Sequence, residues 1–197
     1  MRLGIFGGTF DPPHRGHVYL ARMALTRLHL GRILWVLTAD PPHKQGQPLA
    51  PLADRLDMVQ AAIQDDPAFV LSRVEVDRPG PHFAFDTVTL LSAQFPGDPL
   101  VYLMGSDSLR DLPAWSRPRD LLQQCTLGVL GRPDAAVDLD QLQTLLPGLA
   151  SKIEWIDVEP SQVASYQVRQ RVRQGLPIGD LVPATVEALV EQRGLYR

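Results

Sequence analysis

Residues 3–17 have the sequence LGIFGGTFDPPHRGH, in which an apolar run is followed by two glycines and then by two histidines. Leu3–Phe6 is typical of a buried strand, and the apolar stripe of Gly16–Leu28 predicts a helix. Glycines allow a sharp turn and let a phosphate approach the backbone closely, while a helix N-terminus offers unpaired N–H groups and a positive dipole end. This stretch therefore predicts a strand, a phosphate-binding turn and a helix.

The rest of the chain continues this alternation of strands and helices. Near-continuous apolar strands separated by helices are typical of a parallel sheet covered on both faces. The sequence thus predicts an α/β fold of the Rossmann-like, doubly wound type, with a mainly parallel sheet, helices on both faces and a helical C-terminal part. Ligands of such sheets bind beyond the carboxyl ends of the strands, where the strand order reverses. The further predicted strands are Ile33–Thr38, Leu100–Met104 and Thr126–Leu130, and the further predicted helices are Leu52–Gln64, Phe85–Gln94, Arg117–Gln124, Leu139–Leu146, Ser165–Gln174 and Pro183–Arg193.

The composition, 45% hydrophobic and 21% charged, is that of an ordinary globular protein and not of a disordered or fibrous chain. A length of 197 residues predicts one domain, residues 1–197, with a helical subregion from about residue 161. The net charge of −3 argues against a general nucleic-acid binder, and no apolar run is long enough to predict a membrane span. Met1–Phe6 lacks the apolar core of a signal peptide, and a single cysteine fits a reducing compartment. The expected location is cytoplasmic, and the sequence does not decide between a monomer and a homo-oligomer.

Two histidines stand at the predicted start of the first helix. His14 and His17 are three residues apart, so their imidazoles are expected on the same side, and Gly16 leaves space beside them. Two imidazoles next to free backbone amides suit a phosphoryl group that gains charge in its transition state. A metal pair is the alternative, but no carboxylate or cysteine stands at a matching offset. Asp11, which precedes Pro12, is interpreted as a turn-former and not as an acid catalyst.

The string Gly-Gly-Thr-Phe-Asp-Pro followed by His-x-Gly-His resembles the signature of the HxGH nucleotidylyltransferase superfamily. Matches over nearly the whole chain make the sequence similar to the bacterial nicotinate-nucleotide adenylyltransferases. The resemblance implies transfer of the adenylyl group of ATP to nicotinate mononucleotide, giving deamido-NAD and pyrophosphate in NAD biosynthesis. The matching residues downstream are Pro41-Pro42-His43-Lys44, Arg55, Asp57, Met58, Gly105-Ser106-Asp107-Ser108-Leu109, Trp115, Gly131-Arg132-Pro133 and Gly194-Leu195-Tyr196-Arg197.

The resemblance also implies roles for individual residues. Two roles stay open for Asp107: it caps the helix that it opens, or it accepts hydrogen bonds from a ribose or a bound metal. Mg²⁺ is expected with ATP, held mostly by phosphates and water, and no metal site made of protein side chains is predicted. The implied catalytic residues are His14, His17, Lys44 and Arg169. The implied ATP-binding residues are Gly7, Gly8, Thr9, Phe10, His14, Gly16, His17, Gly105, Asp107, Arg132, Ser165 and Arg169.

Recognition of the acceptor is implied for a second group of residues. Trp115 is expected to stack on the pyridine ring, with a hydrophobic plug as the equally weighted alternative from the residues alone. Backbone amides near Ala84 and Ser116 are expected to bind the carboxylate, so alanine is tolerable where the family has threonine. For His82, which replaces a serine of the family, contact with this pocket and an exposed loop position both stay open. The implied acceptor-binding residues are Lys44, Ala84, Thr87, Trp115 and Ser116.

The clearest departure from the family lies in residues 163–169, VASYQVR, where the family has Ile-Ser-Ser/Ala-Thr-x-Ile-Arg. Ala164 and Tyr166 replace two hydroxyl positions. Ser165 is predicted to cap the helix whose N-terminus faces the triphosphate, and Arg169 to grip the triphosphate one turn later. Two alternatives to the implied function stay open. One is the same transfer to nicotinamide mononucleotide or phosphopantetheine, and the other is a non-catalytic nucleotide-binding regulator, which the altered segment slightly favours.

Overall fold

The computed structural model describes residues 1–40, 48–131, 137–159 and 161–197. Within these residues it contains six strands, eight α-helices and two short 3-10 turns. The strands are β1 (Leu3–Gly8), β2 (Arg32–Leu37), β3 (Phe69–Ser72), β4 (Leu100–Gly105), β5 (Thr126–Leu130) and β6 (Ile153–Ile156). The helices are α1 (Arg15–Arg27), α2 (Leu52–Ile63), α3 (Ala84–Gln94), α4 (Ser106–Asp111), α5 (Pro118–Gln124), α6 (Leu139–Leu145), α7 (Ser165–Arg173) and α8 (Ala184–Arg193), and the 3-10 turns are Leu112–Ala114 and Leu149–Lys152.

The strands form one sheet in the order β3-β2-β1-β4-β5-β6, and every neighbouring pair in it is parallel. Strand β1 lies at the centre, hydrogen-bonded to β2 on one side and to β4 on the other. The chain builds outward from β1 in one direction through β3 and then in the opposite direction from β4. This order confirms the predicted Rossmann-like, parallel sheet and places its reversal point between β1 and β4.

Successive strand residues face opposite sides of the sheet and enter two separate apolar cores. Ile5 and Leu34 pack with side chains of α3, α4 and α5, whereas Phe6 and Trp35 pack with side chains of α1 and α2. Because side chains alternate along a strand, a strand that is apolar throughout has to be covered on both faces. The two cores therefore confirm the prediction of helices on both faces.

A third apolar core joins the C-terminal helices to α2. Met58 of α2 packs with Val168 of α7 and with Val186 and Val190 of α8. The helical C-terminal part is thus confirmed, with α7 and α8 within one residue of their predicted ends. No helix of the described residues has the length and apolar character needed to cross a membrane.

Two strands of the sheet were not predicted from the sequence. β3 and β6 have four residues each and lie at the two edges of the sheet. Each has only one neighbouring strand, and Val70 in β3 is exposed. Their short length gives little signal in the sequence, because a brief apolar segment does not distinguish a strand from other structure.

Candidate active site

A cavity of about 440 Å³ opens where the carboxyl ends of β1 and β4 meet. In a parallel sheet the loops that follow the strands lie at this edge. Because the strand order reverses between β1 and β4, the loops after these two strands run in opposite directions and leave a crevice. The cavity therefore lies at the place predicted for a ligand. Its wall includes Gly7, Gly8, Thr9 and Gly105 from those two strand ends, together with Ala84 and Trp115 from other loops.

The glycine turn predicted after β1 begins inside the strand, because Gly7 and Gly8 are its last two residues, and both glycines are required by the packing around them. A Cβ on Gly8 would lie 2.8 Å from the ring of Phe10, and a Cβ on Gly7 would lie 3.2 Å from the hydroxyl of Tyr102. Phe10 has φ +47°, and its ring lies 2% exposed with its centroid 5.1 Å from that of His17. Gly7, Gly8 and Thr9 thus form the cavity wall, while Phe10 lies behind it and supports His17.

His14 and His17 bind each other reciprocally at the start of α1. The His17 backbone N–H donates to His14 Nδ1 at 3.3 Å, and the His14 backbone N–H donates to His17 Nδ1 at 3.1 Å. The two rings stack with centroids 3.6 Å apart and planes at 26°, which confirms that they lie on the same side. Because both Nδ1 atoms accept hydrogen bonds, each neutral imidazole carries its proton on Nε2. In both rings the nitrogen that can donate is thus Nε2, at the start of α1.

Burial fixes the charge state of His14. Its side chain is 6% exposed, and desolvation lowers its pKa from 6.5 to about 4. At neutral pH His14 is therefore an uncharged donor that can stabilise a developing phosphate charge through a hydrogen bond.

Gly16 serves packing against the C-terminal part of the chain. The sequence predicted free space beside this glycine, but a Cβ there would collide with the side chain of Ser161. The space is filled, since glycine lets the segment before α7 lie directly against α1. Gly16 thereby brings Ser165 and Arg169 to residues 11–14, the histidine turn that precedes α1.

Ser165 and Arg169 both contact the turn that precedes α1. The Ser165 hydroxyl donates to the Pro12 carbonyl at 2.9 Å, and Arg169 Nη1 donates to the Asp11 carbonyl at 2.7 Å. The prediction that Ser165 caps α7 is wrong. The cap residue is Ala164, whose N–H donates to Gln167 Oε1 at 2.8 Å, because the Ser165 hydroxyl is used by Pro12.

Asp11 is a junction between the two ends of the chain, and not only a turn-former. Its side chain is 2% exposed, and its Oδ1 accepts from the Ala50 N–H at 3.2 Å and from the Tyr196 hydroxyl at 2.8 Å. Together with the bond from Arg169, these contacts tie α7 and the segment after α8 to the residues that present His14. Sequence reasoning noted Tyr196 only as part of a C-terminal motif and gave it no role.

Arg55 of α2 holds the loops after β1 and β2 together through hydrogen bonds to their carbonyls. Its guanidinium is 3% exposed and donates to the carbonyls of Ala50, Thr9, Thr38 and Ala39 at 2.9–3.2 Å. Desolvation lowers the pKa of Arg55, and nearby Asp11 opposes the shift. The sequence marked Arg55 only as a family match. An arginine on the apolar face of a helix was the signal that could have identified it.

At the end of β4, Gly105 lines the cavity and Asp107 does not cap α4. The cap position is held by Gly105, and no side chain makes the capping hydrogen bond. Asp107 is the second residue of the helix and is exposed, with its Oδ1 2.6 Å from the place of a Cβ on Gly105. The capping alternative is therefore wrong, because Asp107 lies inside the helix. Contact with a ribose or a metal stays a prediction.

The other end of the cavity is lined by three of the residues predicted to bind the acceptor. Ala84 begins α3, whose first N–H groups have no side-chain cap, and a helix N-terminus of this kind favours an anion. Trp115 and Ser116 form the facing wall, and the Trp115 ring meets Tyr102 edge to face at 5.8 Å. Ala84, Trp115 and Ser116 are thus brought together, in a space able to hold a planar ring.

Thr87 lies behind this wall and is hydrogen-bonded to Glu75, a residue that was not predicted from the sequence. Its hydroxyl donates to Glu75 Oε1 at 2.6 Å, and Thr87 is 1% exposed and does not line the cavity. Glu75 does line it, and burial raises the pKa of Glu75 although the Thr87 and Thr38 hydroxyls oppose the rise. Glu75 stands in the loop after β3, an edge strand that was not predicted.

His82 also lines the cavity and is buried, at 6% exposure. The alternative of an exposed loop histidine is therefore wrong, because the segment before α3 folds inward over the cavity. Desolvation and the charge of Arg78 lower the pKa of His82, and Asp40 opposes them. Lys44 and Arg132, with the motifs around them, lie outside the described residues.

The fold and the site are those of a nucleotidyltransferase. The cytidylyltransferase-like family matches residues 5–171, which run from β1 into α7 and include the glycine turn and both histidines.

Individual relatives show which nucleotidyltransferases the chain is similar to in sequence. A probable nicotinate-nucleotide adenylyltransferase of Thermomicrobium roseum is 43% identical over 196 residues, which cover 100% of this chain and 92% of that protein. The nicotinate-nucleotide adenylyltransferase of Bacillus subtilis is 37% identical over 195 residues, covering 99% of this chain and 98% of that one. The chain belongs to the nicotinate-nucleotide adenylyltransferase family.

Solved structures agree in fold. Plasmodium falciparum nicotinic acid mononucleotide adenylyltransferase complexed with NaAD superimposes with a TM-score of 0.77 at 17% identity, covering 99% of this chain and 97% of that one. The same Plasmodium protein complexed with APC gives a TM-score of 0.78 at 16% identity, covering 99% and 96%. At identities this low, the superpositions show that the fold is shared and nothing more.

Proposed function

We propose that this chain transfers the adenylyl group of ATP to nicotinate mononucleotide and releases pyrophosphate, giving deamido-NAD in NAD biosynthesis. The observation that carries the proposal is the reciprocal pair of His14 and His17 at the start of α1, in the segment that follows the glycine turn of the cavity wall. The full-length similarity to nicotinate-nucleotide adenylyltransferases supports the same substrates. A reaction that draws on ATP also fits the cytoplasmic location expected from the composition.

The reaction is an in-line displacement at the α-phosphorus of ATP. An oxygen of the acceptor 5′-phosphate forms a bond to the α-phosphorus, and the bond from that phosphorus to the bridging β-phosphate oxygen breaks. The electron pair leaves with pyrophosphate. No nucleophilic side chain is needed, because such catalysis consists largely of positioning and charge stabilisation.

The described residues around the glycine turn supply both the positioning and the charge stabilisation. His14 and His17 donate from Nε2 to phosphate oxygens, and Gly7 and Gly8 let the phosphates approach the backbone at the N-terminus of α1. Arg169 keeps donors for the triphosphate beyond the one that it gives to Asp11, since a guanidinium has five N–H groups. The remaining ATP contacts proposed from the family resemblance are Thr9, Gly105, Asp107, Arg132 and Ser165, and Lys44 is proposed as a cation over the phosphates.

ATP enters as its Mg²⁺ complex, in which phosphates and water hold most of the ion's coordination sites. No group of three or more His, Cys, Asp or Glu residues within the described ranges could hold a metal ion. Mg²⁺ bound to ATP would neutralise charge on the leaving pyrophosphate.

The acceptor's pyridine ring is proposed to occupy the pocket beside Trp115, with its carboxylate at the amides near Ala84 and Ser116. Trp115 offers a planar face, and the uncapped N-terminus of α3 attracts the negative charge. Backbone donors at this place do not depend on side-chain identity, so alanine at position 84 serves as well as threonine.

A comparison of acceptors tests the proposal. Purified protein, ATP and Mg²⁺ are combined with nicotinate mononucleotide, nicotinamide mononucleotide or phosphopantetheine, and adenylylated product and pyrophosphate are quantified by chromatography. The highest kcat/KM is expected with nicotinate mononucleotide. A higher value with the amide would overturn the acceptor assignment, and no product with any acceptor would favour a non-catalytic nucleotide-binding protein.

A further inference from the structure

Unpartnered polar atoms are concentrated at one wall of the cavity. Among the described residues, five buried side-chain nitrogen or oxygen atoms have no hydrogen-bond partner, and three of these are Glu75 Oε2, Arg78 Nε and His82 Nδ1. Buried polar atoms are destabilising unless they are hydrogen-bonded, so such a cluster marks a place where another molecule supplies the partners. Two of the three residues, Glu75 and His82, line the cavity itself.

His82 is the member of this cluster nearest to the predicted acceptor pocket along the chain. It stands two residues before Ala84, and both residues line the cavity. The Nε2 edge of its ring lies beside Gly80, since Nε2 is 3.6 Å from the place of a Cβ on that glycine, and Asp40 Oδ2 is 3.6 Å from the same place. Nδ1, on the other edge of the ring, is the unpartnered nitrogen.

The charges around His82 indicate which ligand group would meet Nδ1. Arg78 and the N-terminus of α3 are positive, whereas Asp40, Glu75 and Asp86, which lies in the first turn of α3, are acidic. Asp40 Oδ2 and His82 Nε2 both lie near Gly80, and Glu75 already accepts from Thr87. A donor on Nδ1 therefore matches an anionic acceptor group placed at the start of α3, and a hydrogen bond to an anion is stronger than one to a neutral carbonyl.

We propose that His82 determines specificity in the proposed acceptor site, where its Nδ1–H donates to the carboxylate of nicotinate mononucleotide. This inference rests on the proposed function and adds a side-chain donor to the backbone amides near Ala84 and Ser116. In nicotinamide mononucleotide the same position holds a neutral amide, which gains less from this donor. His82 thus favours the acid over the amide.

Three substitutions separate the donor from the bulk of the side chain. His82→Asn keeps an amide nitrogen near the position of Nδ1, His82→Gln moves the amide toward the position of Nε2, and His82→Leu removes both nitrogens. Isothermal titration measures the Kd of the acid and of the amide for each variant, and steady-state assays measure the KM for ATP. Thermal melting identifies any variant that does not fold, and the Asn and Gln pair provides the comparison in that case.

His82→Leu and His82→Gln are expected to raise the Kd for nicotinate mononucleotide about 10- to 100-fold, while His82→Asn stays within a few-fold of the parent. The Kd for nicotinamide mononucleotide and the KM for ATP should change by less than a few-fold. An unchanged acid-to-amide ratio in the Leu and Gln variants overturns the role of His82 and leaves the proposed function intact. A parent protein that itself binds the amide more tightly than the acid overturns the proposed function, and the carboxylate contact with it.

Discussion

The imidazoles of His14 and His17 act as one unit, because each ring accepts the backbone N–H of the other residue. The exchange caps α1 and fixes the proton of each neutral ring on Nε2. The sequence predicted that the rings would share a side, since residues three apart meet on a helix. It could not predict that Nδ1 of each ring is used internally, because this depends on the extended backbone of His14 before the helix begins.

Replacement of His17 tests the role of its Nε2–H. His17→Ala should lower kcat by roughly 10²–10³-fold, as is typical for loss of one preorganised donor. His17→Asn keeps an acceptor near the position of Nδ1 and loses only the outer donor, so it should lower kcat as much while retaining more thermal stability. Steady-state kinetics and thermal melting measure the two effects. A near-parental kcat in His17→Asn would contradict a catalytic role.

The lowered pKa of His14 predicts how stability depends on pH. In the unfolded chain His14 binds a proton near pH 6.5, and in the folded protein only near pH 4. The free energy of unfolding should therefore decrease as the pH falls from about 6.5 to about 4, because the unfolded state takes up the proton first. Urea unfolding at several pH values measures the slope, which His14→Asn should reduce. The same substitution at exposed His29 serves as the control, and an equal change there would refute the assignment.

At the level of elements, sheet strands and helices were predictable where burial is continuous. Strands β1, β2, β4 and β5 are apolar runs covered on both faces, and all four were predicted from the sequence. The edge strands β3 and β6 were not, because edge position leaves them short and partly exposed. The loop after β3 carries Glu75, so missing the strand also left this residue of the cavity wall unpredicted.

Helix α2 takes part in two sets of arginine contacts. Arg55, within α2, is buried, whereas Arg193 of α8 binds α2 at the surface. Arg55 donates to four loop carbonyls, so Arg55→Met should lower the free energy of unfolding by about 3 kcal/mol or more through loss of these buried bonds. Arg193→Ala, which removes the surface ion pairs to Asp54 and Asp57, should have a much smaller effect. Urea unfolding compares the two variants. Equal losses would show that Arg55 does not hold the loops.

For the whole molecule, the active-site turn is held by segments from the far end of the chain. Asp11 and Tyr196 are 185 residues apart in sequence and 2.8 Å apart in the fold, and Ser165 and Arg169 add contacts to the same turn. No local periodicity encodes such contacts, since they depend on how α7 and α8 pack against α2. The family resemblance identified the residues concerned, but not which of them meet.

Loss of the Tyr196 hydroxyl tests this long-range support. Tyr196→Phe leaves buried Asp11 with one hydrogen bond fewer on its side chain, which should lower the free energy of unfolding by about 1–2 kcal/mol. It should also lower kcat a few-fold with little change in KM, because the histidine turn is less firmly held. Tyr166→Phe is the matched control, since Tyr166 is 60% exposed. Identical behaviour of the two variants would argue against the tether.

We propose that adenylyl transfer takes place in the cavity between β1 and β4. The most direct test of this proposal is to incubate the purified protein with Mg²⁺, nicotinate mononucleotide and ATP labelled at the α-phosphorus. The label is predicted to move into deamido-NAD, one equivalent for each pyrophosphate released. Label that stays in ATP, or that appears as free AMP without dinucleotide, would contradict the proposal.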